Sequence, residues 1–150
     1  MRLTSDAFDD GDPIPEQYGY RAANVNPPLD IHDVPDEAET LALVVDDPDA
    51  VEPAGKVWDH WVVWNLPAAT TSIPADFEPP SAGGVEGRND YGEVGYGGPN
   101  PPDREHTYRF VARALDTTLA LDSGETKAAL EAAVEGHVLA EARLTGTYAP

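Results

Sequence analysis

Residues 106–115 read HTYRFVARAL. Tyr108, Phe110, Ala112 and Ala114 alternate with Thr107, Arg109, Val111 and Arg113, which is the period of a β-strand with one buried and one partly wet face. Residues two apart in a strand share a face, so His106 and Tyr108 point the same way from its first turn. Just upstream, residues 91–105, YGEVGYGGPNPPDRE, hold four glycines and three prolines. Reversing the chain needs far less, so the loop has a further task.

Other segments fit the same kind of fold. TLALVV (40–45) is a continuous apolar run of strand length, stopped by DDPD, and HWVVWNL (60–66) is a Val- and Trp-rich strand closed by Pro67. Residues 1–40 read as short extended pieces and turns. DSGETKAALEAAVEG (122–136) predicts a helix, with an Asp/Ser cap, Leu130 and Val134 one turn apart, a Lys127–Glu131 pair and Gly136 as C-terminal cap. Val138, Ala140, Ala142 and Leu144 alternate with Leu139, Glu141, Arg143 and Thr145, a last strand. The expectation is one domain over 1–150, mostly β, an antiparallel β-sandwich with one or two short helices near the C-terminus.

Twenty-eight acidic residues face nine basic ones, a net charge of −19, and Lys56 and Lys127 are the only lysines. The carboxylates are spread along the chain, which points to a surface adapted to high salt, as in a halophile, more than to a dedicated basic partner. Nucleic acid is excluded as a ligand because basic residues are neither numerous nor clustered. The absence of cysteine removes disulfides and thiolate chemistry. No run has the length of a membrane span and the N-terminus has no apolar signal core, so a cytoplasmic location without integral membrane association is expected.

Polar chemistry collects at three strand ends: Asp46, Asp47 and Asp49 after the first apolar strand, Asp59 and His60 at the mouth of the second, and His106 with Tyr108 beyond the glycine–proline loop. Singly, each has an ordinary structural explanation, such as a turn closed by its own aspartates. Together they can converge on one pocket.

LALVVDDPDA, WDHWVVWNLP, NDYGEVGYGGPNPPDREHTYRFVARALD and GHVLAEARLTGTY, with the early PIPEQYGYRAANVNPPL, resemble successive motifs of the phosphatidylethanolamine-binding protein family, and most closely its bacterial and archaeal Raf kinase inhibitor-like branch. The resemblance implies a large antiparallel sheet packed on a smaller one, with a small anion pocket at one end. It assigns ligand binding to Asp47, Asp49, His60, Gly97, Gly98, Pro99, His106 and Tyr108. Three positions depart from the family pattern: Val51 in place of a proline, Asn100 in place of a cysteine and Thr107 in place of an arginine.

The expected function is therefore a non-catalytic binding protein for a small phosphate- or carboxylate-bearing ligand, one that regulates a partner enzyme in the manner of a kinase inhibitor. No metal or cofactor is expected, and by resemblance a homodimer is. In this reading the glycines let backbone N–H groups approach the anion, and the nearby carboxylates either orient both histidines and raise their pKa values or accept hydrogen bonds from an ammonium head group. The alternative is a small hydrolase using His60 or His106 as general base. No G-x-S-x-G elbow supports a nucleophile, and neither H-x-H nor H-E-x-x-H spacing supports a metal centre.

Overall fold

The computed structural model describes residues 1–150. The apolar run forms β3 (Thr40–Asp47), buried along its whole length. It is continuous rather than alternating because β3 is the middle strand of a five-stranded antiparallel sheet with both faces covered. Its neighbours are β4 (Trp58–Pro67) and β7 (His106–Leu115); β6 (Val85–Glu86) and β8 (Val138–Tyr148) form the edges. The smaller sheet is antiparallel too, with β2 (Leu29–His32) between β1 (Arg2–Thr4) and β5 (Ser72–Ile73).

Two cores follow from the strand period. Leu41, Leu43 and Val45 join Trp61, Val63 and Phe110 in the inner core, closed by Leu3, Leu29, Ile31 and Ile73 from the small sheet and by Phe8 and Ile14 from the N-terminal segment. Ala42 and Val44 join Val62, Trp64 and Leu115 in the outer core, closed by Leu119 and by Leu130 and Val134 of α2 (Lys127–Val134).

The helix differs from its expected form. It starts at Lys127, because Thr126 rather than Asp122 or Ser123 is the cap, its hydroxyl accepting from the N–H of Ala129. The Lys127–Glu131 pair does not form: Lys127 reaches Asp46 and Asp59 on the sheet, and Glu131 binds Arg113. The second helix, α1 (Val51–Ala54), is a single turn directly after the Asp-Pro-Asp segment and not near the C-terminus.

One irregularity sets up the site. Val45 lies opposite Trp61 and Asp46 opposite Asp59, so His60 is an extra residue on β4, a β-bulge. Bulges re-aim side chains at strand ends. Here the bulge leaves both His60 and Trp61 directed to the inner side.

Candidate functional site

The inner-face strand ends surround a cavity of about 210 Å³ lined by Asp47, His60, His106 and Tyr108, together with Ala50, Pro53, Ala54, Trp58, Tyr91, Asn100, Pro101 and Pro102. A wider groove of about 660 Å³ lies beyond Asn100 and Pro101, between residues of the two chain ends. The smaller cavity is the better candidate because Asp47, His60, His106 and Tyr108 line it and none of them lines the groove.

Two donors stand beside it. Tyr108 is fully buried, and its Oη makes no well-aligned hydrogen bond, although the Asp47 side chain and the Asn100 backbone lie close to it; the buried Nε1 of Trp58 has no partner. A buried polar group without a partner costs roughly 1–3 kcal/mol, and both residues line the cavity. Burial, then the nearby Asp47 charge, pushes the Tyr108 phenol upward, so it stays a neutral O–H donor.

The two histidines are held differently. His106 is fixed at both nitrogens, Nδ1 to Asp47 Oδ2 at 2.6 Å and Nε2 to Asp103 Oδ1 at 2.7 Å. Burial alone would lower its pKa; the two carboxylates outweigh this and raise it, which favours an imidazolium donating to both. His60 binds the Gly97 carbonyl through Nδ1 at 2.7 Å. Here burial dominates and its pKa is lowered, despite that carbonyl and Asp47. The expected rise in pKa is thus found at His106 and reversed at His60, because no carboxylate bonds to the His60 ring.

The aspartates divide as well. Asp47 Oδ1 accepts from the N–H of Asp49, closing the turn, while Oδ2 holds His106. Asp49 is not among the lining residues; its Oδ2 accepts from the N–H of Thr107 and pins the turn to β7.

Gly97, Gly98 and Pro99 do not line the cavity either, and Asn100, Pro101 and Pro102 take that place. The N–H of Gly97 donates to the His60 carbonyl, and that of Gly98 to Asn24 Oδ1. Neither is left for an anion. The glycines are needed for packing instead: a Cβ on Gly98 would meet the Tyr18 carbonyl oxygen at 2.1 Å, and one on Gly97 the Tyr91 ring at 2.5 Å. The loop is clamped from the N-terminal segment, where Tyr20 N–H donates to the Pro99 carbonyl and Tyr96 Oη to that of Tyr18. Its task is to place His60 and the proline rim.

Sequence reasoning missed Trp58, Tyr91 and Asp103. Trp58 stands two residues before His60, a spacing that could have found it. Tyr91 stacks on Tyr20 at 3.9 Å and meets His60 edge-on, its Oη donating to the Gly98 carbonyl. No group of three or more His, Asp or Glu side chains is arranged to hold a metal ion. No helix is long and apolar enough to cross a membrane.

The family profile described as phosphatidylethanolamine-binding protein matches residues 4–149. UPF0098 proteins of Chlamydia muridarum and Methanothermobacter thermautotrophicus are each 45% identical, over 99% of this chain and 98% of theirs. The crystal structure of a Chlamydia trachomatis homologue of phosphatidylethanolamine-binding protein superimposes with a TM-score of 0.90 at 43% identity, covering 98% of this chain and 95% of that one. Escherichia coli YbcL, described as a member of the mammalian family, gives 0.89 at 32% identity, covering 98% and 96%.

Proposed function

Since the chain belongs to the phosphatidylethanolamine-binding protein family, we propose that it is a cytoplasmic, non-catalytic binding protein whose inner cavity takes the phosphate or carboxylate group of a small molecule. The observation that carries this reading is the convergence of Asp47, His60, His106 and Tyr108 on one small cavity, with Trp58, whose Nε1 has no partner, in its lining. An oxyanion supplies the acceptor oxygens that an indole N–H and a phenol O–H lack. Asp47 supports the site by holding His106, and the proline rim limits the entropy lost on binding. The excess of carboxylates is, in our reading, an adaptation to high salt, and it sets the conditions of measurement.

Calorimetric titration with O-phosphoethanolamine and inorganic phosphate, in KCl that keeps the protein folded, tests the proposal. Saturable one-site binding, unchanged by chelator, is expected. Absence of binding to either, or its loss with chelator, would contradict it.

A further inference from the structure

β8 is an edge of the large sheet, and the protein closes only part of that edge. From Thr145 onward the N-terminal segment lies along it. Thr145 N–H donates to Asp10 Oδ1 and its carbonyl accepts from Gly11 N–H; Thr147 N–H donates to the Asp12 carbonyl and its own carbonyl accepts from Ile14 N–H. In an antiparallel strand the direction of the backbone groups alternates, so Glu141 and Arg143 turn theirs outward as Thr145 and Thr147 do. Neither of the two makes a backbone hydrogen bond to any segment on that side, and both are exposed. At the other end the bulge at Leu139, where Ala114 pairs with Ala140 but Leu115 with Val138, ends the regular edge. The open stretch is therefore Glu141–Arg143, bounded on both sides, with four outward backbone groups facing solvent.

An open edge accepts another strand, and two observations identify whose. The first is charge. Arg109, Arg113, Lys127 and Arg143 line one outer-face cavity beside this edge. They are four of the chain's nine basic residues, and they pair with Asp46, Asp59, Glu131 and Glu141. This patch is neutral, so the rest of the chain carries the whole net charge of −19. A second, equally acidic copy is repelled least here. The second observation is register. Antiparallel pairing about a two-fold axis through Ala142 matches all four groups, because Glu141 then faces the partner's Arg143 and Arg143 the partner's Glu141. Each facing pair exchanges two backbone bonds and carries opposite charges on one face of the sheet. The facing Ala142 side chains are small enough for the close approach, and the exposed Val138 and Leu139 flank the join. We infer that the open edge of β8 is an interaction surface for a second copy of this chain, joining two five-stranded sheets into one of ten strands. The join is short, so the dimer is weak and reversible.

Sedimentation equilibrium of the unmodified protein in KCl, carried up to about 1 mM, should show reversible monomer–dimer exchange. Amide exchange read by NMR identifies the surface. The amides of Glu141 and Arg143 gain protection as concentration rises, whereas those of Ala142 and Leu144, turned toward β7, are protected throughout. Arg143→Pro removes an outward donor and leaves the ladder to β7 intact. Arg143→Glu sets like charges opposite each other twice and keeps the inference testable if the proline variant does not fold. Each raises the dissociation constant at least about tenfold. Arg21→Glu makes the same change in net charge at an exposed position away from the edge and shifts it less than about threefold. A chain still monomeric at about 1 mM, a dimer whose Glu141 and Arg143 amides stay unprotected, or an equal loss from Arg21→Glu overturns the inference.

Discussion

Asp46 and Asp47 are consecutive at the end of β3, and the strand period sends them to opposite faces of the sheet. Asp46, on the outer face, is held by Arg109 through Nε at 2.7 Å and Nη2 at 2.9 Å, and by Lys127 at 3.1 Å. Lys127 also lies 2.7 Å from Asp59, whose N–H donates to Asp90, and Asp90 in turn binds Lys56. Burial pushes the Asp46 carboxyl up, but Arg109 and Lys127 outweigh it and hold it below the usual range. Asp47, on the inner face, holds one histidine beside a cavity where two donors go unmatched. The outer face has its charges answered by its own chain. The inner face also engages Asp47 and His106 but leaves neutral donors beside the cavity unmatched, and that difference separates a structural network from a candidate site.

The sharpest way to break the contrast is Lys127→Ala. It leaves two mostly buried carboxylates facing each other, and a loss of about 3 kcal/mol is expected, near the lower end for breaking a buried pair. Urea denaturation measures it, while phosphate affinity stays within about twofold of the parent. A large loss of affinity with unchanged stability would erase the distinction between the faces.

Tyr108→Phe is the mirror experiment. Removing a hydroxyl that lacks a protein partner leaves stability unchanged or slightly raised, while phosphate binding loses about 1.5–3 kcal/mol, as for a hydrogen bond to a charged group. Destabilisation without loss of binding would mean that Oη serves the fold.

A smaller effect separates the histidines. His106 has a raised pKa in the folded state, so its contribution is full below the unfolded value of about 6.5 and is lost as pH rises through the folded value. His60 has a lowered pKa, so keeping it neutral contributes fully above about 6.5, and that contribution is lost as pH falls through its folded value. Asp103→Asn removes one partner of His106 alone. The stability gap between parent and variant should shrink as pH rises above about 6.5, read from urea midpoints across the range. A gap independent of pH would show that Asp103 acts without the imidazolium.

The strand period made much of this arrangement legible. It located β3, β4 and β7, set His106 and Tyr108 on one face and Asp47 and His60 at strand ends, and the family motifs grouped the four into one expected pocket. What stayed hidden depends on contacts between distant segments. The N–H of Gly98 is taken by Asn24, 74 residues away, so a loop that reads as an anion cradle is a spacer. Lys127 reads as a partner for Glu131 one turn on, yet two carboxylates brought over by the sheet offer it more charge. His60 reads as one of two similar histidines, and only the carbonyl at its Nδ1 and the carboxylates at His106 set them apart.

The most direct test of the central claim uses the three tryptophans. Trp61 Nε1 donates to Glu86 and Trp64 Nε1 to the Leu121 carbonyl, whereas Trp58 Nε1 has no partner. In a proton–nitrogen correlation spectrum, titration with O-phosphoethanolamine should move the Trp58 indole resonance downfield to saturation as it gains an acceptor, and leave the other two in place. A Trp58 resonance that stays fixed while phosphate binds elsewhere on the protein would contradict the account.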